Sequence, residues 1–287
     1  MDAFRDIVIT GLLLGGIYAL VSVGLSLQYG VARVLNVAHG EFIMVGAMLT
    51  WWLFVNVSLN PLLSLAITGP AIFVVGFLLH GSLYRGLMRT SGGSVALFEG
   101  KSMLASFGLL YVVQNIARIV WGSSVQSYQF LERTVTAAQI PVNRLVALAF
   151  VLVLAAAFYV FLSRTRLGKA IRASAQDPTT AGMMGVNIHR VLAICFGLGL
   201  GLAAIAGSLL SMLYPSTTSM GLGYTVIAMI VVVLGGLGSI TGSLIGGIML
   251  GFVAQIVTYF QPSMTVIAYY VIFIALLLAR PKGIMGK

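Results

Sequence analysis

Apolar residues gather into nine runs, at 7–29, 42–57, 62–84, 102–121, 145–163, 191–213, 224–240, 242–260 and 264–279, separated by short polar or charged stretches. About 20 residues of apolar helix cross a hydrocarbon layer, where no water is present to satisfy the backbone, so each segment must pair its own amides and carbonyls. Runs of this length predict an all-α integral membrane protein, a polytopic helix bundle of about 8–9 spans. A transmembrane barrel would instead show alternating segments of about ten residues. The 42–57 run is short for a crossing, and the pair after residue 224 is interrupted by Gly235, Gly236, Gly238 and Gly242. Broken or re-entrant helices are therefore expected within the bundle. Glycines also recur at i and i+4, as in Gly11 with Gly15, Gly197 with Gly201, Gly238 with Gly242, Gly242 with Gly246 and Gly247 with Gly251. That spacing lets helix backbones touch and is expected to serve packing, not solute contact. Residues 39–43 (HGEFI) and 241–245 (TGSLI) share a short pattern, which fits either a duplication of broken helices or chance in a glycine-rich chain.

Composition makes lipid the main solvent, since 60% of the 287 residues are apolar and 8% charged, with a mean hydropathy of +1.07. The formal net charge of +10 comes from 16 Lys and Arg against 6 Asp and Glu. These cations flank spans instead of covering a face, so no nucleic-acid partner is expected. Arg164, Arg166, Lys169, Arg172 and Arg190 share one loop; Arg85, Arg89 and Lys101 share another; Arg280, Lys282 and Lys287 mark the tail. The bias of Lys and Arg toward cytoplasmic loops puts all three, and the C-terminus, inside the cell. Residues 122–143, where Glu132 and Arg133 balance, then lie outside, followed by Arg144. Nine crossings place the N-terminus outside, and one re-entrant segment before residue 62 would reverse that. Asp2, Arg5 and Asp6 precede the first run without an evident cleavage site, so it is expected to be a retained helix. Cys195 is the one cysteine, which excludes an internal disulfide and a cysteine-based metal site.

The loop 164–190 (RTRLGKAIRASAQDPTTAGMMGVNIHR) contains a helix marked at both ends. Asp177 can cap its start, Pro178 suits the first helical position, and Gly185 can take the left-handed conformation past its end. Seven residues, 178–184, make a helix about 10 Å long, marginal without a docking partner. Met183 and Met184 are unbranched and suited to filling a groove on another protein. A connecting turn lying on the membrane surface is the competing reading.

Asn36, His39 and Glu41 are the polar residues at the edge of the second run. At membrane depth they are expected to brace a broken helix near a gate; in the interface they would be solvated. Arg118 is expected to snorkel outward, and His80 and His189 to be interfacial, with no second ligand at metal-binding spacing. Gly100-Lys101-Ser102 resembles the end of a phosphate-binding loop, but the position of its first glycine holds Val95, so no ATP site is expected on this chain. Neither His-Glu-x-x-His nor Gly-x-Ser-x-Gly occurs, which argues against an intramembrane enzyme.

Four stretches together resemble the permease subunits of branched-chain amino acid ABC importers of the high-affinity leucine, isoleucine and valine type. They are 30–46 (GVARVLNVAHGEFIMVG), 164–185, 235–247 (GGLGSITGSLIGG) and 280–286 (RPKGIMG). The resemblance spans nearly the whole chain and implies a single transmembrane permease domain over 1–287, set in the inner membrane of a prokaryote. It also implies a second related permease, two cytoplasmic ATPase subunits that carry the ATP, and an extracytoplasmic binding protein. The matching residues Ala175, Asp177, Pro178, Ala181, Met183, Met184 and Gly185 would form the segment that docks on the ATPase. Thr179, Thr180, Met183 and Met184 depart from the pattern usual there. The alternative reading, a stand-alone secondary transporter or channel for small polar solutes such as urea or amides, would ordinarily carry ionisable groups deep in its spans. The interiors of the runs are nearly free of carboxylates, with Glu41, at an edge, the sole candidate.

Overall fold

The computed structural model describes residues 2–131, 133–135, 140–280 and 283–285. Twelve α-helices are present among them: α1 (Asp2–Ala32), α2 (His39–Val57), α3 (Pro61–Leu79), α4 (Arg85–Thr90), α5 (Val95–Trp121), α6 (Val142–Arg164), α7 (Arg166–Gln176), α8 (Pro178–Met183), α9 (Ile188–Ser211), α10 (Gly221–Gly235), α11 (Ile240–Phe260) and α12 (Thr265–Ala279). A π-helical turn, His80–Tyr84, joins α3 to α4 into one continuous rod. Eight helical segments are long and apolar enough to span a membrane, and α10 is a shorter apolar helix. The chain is thus a multi-pass, all-α membrane protein. Its only strands among the described residues are a two-residue antiparallel pair, Thr134–Val135 with Ile140–Pro141.

Helix α9 is the axis of the bundle, buried along most of its length. Its small residues admit neighbours: Thr68 of α3 and Ser208 share a hydrogen bond of 3.0 Å, and a Cβ on Gly207 would run into the carbonyl of Ile43 in α2. Helix α1 lies antiparallel to α11, where Gly15 and Gly251 meet so closely that neither has room for a side chain. The pairs Gly11/Gly15 and Gly247/Gly251 thus lie on this one interface, while Gly197 and Gly201 pack against Phe73 and Gly69 of α3. Tyr18 of α1 and Tyr269 of α12 hydrogen-bond through their hydroxyls at 3.0 Å.

The charges sort to the two ends. Asp6 and Arg144 form a salt bridge of 3.1 Å at one end. Near them Gln126 and Ser216 pair their backbones, joining the 122–133 segment to the 212–220 segment. The opposite end gathers Arg33, Met88, Ser94, Pro178 and Ile188 around one recess, so the 85–101 and 164–190 segments lie together, as the loop charges predict. Glu132, Lys282 and Lys287 lie outside the described residues.

Helix α2 is long enough to span, so the shortened helix of the bundle is α10 and not the 42–57 run. Between α1 and α2 the chain is non-helical over residues 33–38. His80 is 2% exposed, its ring against Tyr84 and Phe196, near the end of the α3–α4 rod. His189 is exposed.

Candidate functional site

The 164–190 segment folds as two helices. Thr165 caps α7, its hydroxyl accepting the Gly168 amide at 3.0 Å. Helix α7 turns Gly168, Ile171 and Ser174 inward, leaving Lys169, Arg172 and Ala175 exposed. This helix is not anticipated in the sequence reading, although Gly168, Ile171 and Ser174 already show the i, i+3 spacing of a one-sided helix. Asp177 ends α7 and starts α8, its carboxylate accepting the Thr179 amide at 2.9 Å and the Thr180 hydroxyl. The Thr180 hydroxyl first, then the backbone amides of Thr180 and Thr179, hold the Asp177 carboxyl below the usual carboxylate range.

Past the end of α8, Gly185 has a φ of +86°. Its amide donates to Gly182 at 3.0 Å, and the Val186 amide donates to Ala181 at 3.1 Å. These two bonds make a Schellman cap, which satisfies carbonyls the helix leaves open and needs a residue free to adopt positive φ. Ala181 is buried against the bundle, whereas Met183 and Met184 are 77% and 81% exposed. Six residues locked at both ends thus project two flexible apolar side chains from the basic end of the molecule.

A pH prediction follows. Because folding depresses the Asp177 pKa, the cap contributes fully above the ordinary carboxylate range and is lost as the pH falls through the depressed value. Amide exchange at Thr179 and Thr180 should accelerate only under acid conditions, and in Asp177→Ala it should be fast at neutral pH as well. Equal protection in the variant would contradict the cap.

The second cluster lies where α2 begins. The Asn36 amide donates to Gln28 at 3.3 Å, and its oxygen accepts the Ala38 amide at 3.1 Å. The Val37 amide donates to Ser106 of α5 at 3.0 Å. His39 donates from Nε2 to the Val21 carbonyl at 3.0 Å. The Gly40 amide donates to Thr225 of α10 at 2.8 Å, and the same hydroxyl donates to the Val37 carbonyl at 3.0 Å. Gly221, the first residue of α10, rests against the Glu41 carboxyl, and a Cβ there would overlap it.

Helices α2 and α10 therefore begin side by side in the interior. Asn36, His39 and Glu41 are all fully buried, not solvated. Among the described residues no side chain or amide donates to either carboxyl oxygen of Glu41, and Nδ1 of His39 also lacks a partner. The positive ends of α2 and α10 favour negative charge there. Gln28, Ser106, Gly221 and Thr225 belong to this cluster but escape the sequence reading, since each sits in an apolar or glycine-rich stretch with no local signal. No group of three or more His, Cys, Asp and Glu able to hold a metal is found among the described residues.

The sequence matches a family model described as the permease component of branched-chain amino acid transport systems over residues 7–279. It is 28% identical to the high-affinity branched-chain amino acid transport system permease protein BraD of Pseudomonas aeruginosa, covering 97% of this chain and 94% of that protein. The corresponding permease protein LivH of Escherichia coli strain K12 is also 28% identical, over 99% of this chain and 96% of its own length. A ribose import permease protein, RbsC of the same organism, is 35% identical over only 35% of this chain and 33% of its own length. No solved structure matches the chain.

Proposed function

The chain belongs to the family of branched-chain amino acid transport permease components, and from that premise we propose that it is one membrane subunit of an ATP-driven importer of branched-chain amino acids. Its relatives are transport permeases and not enzymes, and those named above carry the names of transport system or import permease proteins. In this reading it pairs with a second, related permease. Two cytoplasmic ATPase subunits supply the ATP, none being bound here, and an extracytoplasmic binding protein delivers solute. The basic end, with the C-terminus, faces the cytoplasm of a prokaryotic cell, across its inner membrane.

The observation that carries the reading is the doubly capped α8 with Met183 and Met184 exposed. A helix this short gains little from its own hydrogen bonds, so its fixed geometry at the basic end suits a handle gripped by a partner. Ala175, Asp177, Pro178, Ala181 and Gly185 set its position, and the methionines fill the groove. Movement passed through α7 and α9 reaches the α2–α10 joint, because α9 packs against α1, α2 and α3.

Asn36, His39 and Glu41 form the gate in this account. A buried carboxyl with no donor is costly, so the closed joint stands poised to open toward water or a solute ammonium group. In Glu41→Gln the carboxyl is lost at nearly constant volume, and solute uptake should fall severalfold while the purified chain keeps its melting temperature. Wild-type uptake by that variant would remove Glu41 from the gate.

The reading as a whole is tested by reconstituting the chain with its partner permease, ATPases and binding protein in liposomes. Leucine, isoleucine and valine should stimulate ATP hydrolysis and accumulate inside. Stimulation only by unrelated solutes, or uptake by this chain alone without ATP, would overturn it.

A further inference from the structure

A recess of about 370 Å³ opens between the π-helical turn and the start of α9. Its wall carries His80, Arg85, His189 and Arg190, with no acidic residue among its lining. Asp6–Arg144 is the one salt bridge among the described residues, so neither Arg85 nor Arg190 is neutralised by a carboxylate there. Arg85 and Arg190 are exposed and free to turn their guanidinium groups onto an anion in the recess.

Three further features border this recess. Asn187 caps α9 by accepting the Arg190 amide at 3.1 Å. The first-turn amides of Ile188 and His189 have no carbonyl within the helix to reach, and together with the helix dipole they offer donors to an anion. Nε2 of His80 is buried without a hydrogen-bond partner, although the residue lines the recess. The wide turn at His80–Tyr84 interrupts the α-helical register just before Arg85, a form often found at functional sites. Depth sets the kind of anion. With Pro61 at the outer end of α3, about 20 residues of helix cross the hydrocarbon, which brings His80 to its inner edge and Arg85 one turn beyond. Within the two turns of α3 that precede His80, Val74, Val75 and Leu78 are exposed.

We propose that this recess binds the phosphate of an anionic phospholipid of the inner leaflet, with Arg85 and Arg190 pairing to the phosphate and the acyl chains lying along Val74, Val75 and Leu78. The lipid, not a free anion, fits because charge and apolar surface adjoin at headgroup depth. The lipid's leaflet rests on the orientation proposed above, whereas the binding itself does not.

Native mass spectrometry of the purified full chain in detergent tests this with phosphatidylglycerol, phosphatidylcholine and inorganic phosphate as probes. One phosphatidylglycerol should be retained about tenfold more tightly than phosphatidylcholine, and Arg85→Gln/Arg190→Gln should lose that preference. The charge-conserving Arg85→Lys/Arg190→Lys pair should keep most of it, which separates lost binding from lost folding. Arg164→Gln/Arg166→Gln, which alters charge at the same end but outside the recess, should leave it unchanged. Equal retention by the Arg85→Gln/Arg190→Gln variant, an equal loss in the Arg164→Gln/Arg166→Gln control, or displacement of the lipid by inorganic phosphate at matching concentration would overturn the proposal. So would loss of the lipid when the partner ATPases bind, which would assign the recess to an acidic protein segment. Failure of lipid binding would leave amino acid transport untouched, so the two readings fall separately.

Discussion

Replacing Met183 and Met184 together with glutamate is expected to abolish solute-stimulated ATP hydrolysis in the assembled importer while the isolated chain stays folded. Both side chains are largely exposed in the free subunit, so two carboxylates cost the fold almost nothing there. In a docked groove each methionine becomes an anchor, and truncating such an anchor costs about 2 kcal/mol or more, or roughly thirtyfold in affinity for each. Placing a charge in the same groove adds desolvation to that loss. Basal hydrolysis by the ATPases should persist, since this chain is not expected to hold ATP. The measurement is hydrolysis with and without solute, beside a co-purification assay. Unaltered coupling in the double variant would remove α8 from the docking role.

Gly251→Leu should prevent accumulation of the folded chain altogether. A Cβ at this position would overlap the Cα and amide nitrogen of Gly15, which are backbone atoms unable to swing aside. The α1–α11 interface must then part along its length, at a cost of about 3 kcal/mol or more. Against total stabilities of about 5–15 kcal/mol that loss is large. Gly108→Leu provides the control, because a Cβ on that residue of α5 meets nothing within 4 Å. Its effect should be neutral or stabilising by up to about 1 kcal/mol through helix propensity. Thermal unfolding of the isolated chain in detergent distinguishes the two, and equal melting temperatures would contradict the close helix contact.

Local chemistry made α8 legible. Asp177, Pro178 and Gly185 act through bonds to residues one to four positions away, so cap, first turn and exit could be read in order, with the helix proper one residue shorter than expected. The number of spans was readable too, because hydrocarbon thickness leaves its imprint on run length. The buried polar cluster at the start of α2 was only half visible. Asn36, His39 and Glu41 stand out beside an apolar run, but Thr225, which bonds the backbone of Val37 and Gly40 between them, is 185 residues from Gly40 and sits in an ordinary apolar helix. Residues 39–43 and 241–245 both open helices that pack closely on α10, Gly40 against Gly221 at its start and Gly242 against Gly235 at its end. Such pairings depend on how backbones cross, which glycine permits without indicating the partner. The enclosure of His80 by Tyr84 and Phe196 was hidden for a similar reason, since Phe196 is more than a hundred residues away in sequence.

Sidedness of α8 is the most direct test of force entering through it from a cytoplasmic ATPase. Cys195 is buried and is the chain's one cysteine, so Met184→Cys adds a single accessible thiol. A membrane-impermeant maleimide should label it in inside-out vesicles and leave it unlabelled on intact cells, with protection once the ATPases are bound. Labelling on intact cells would place the helix outside and contradict the account.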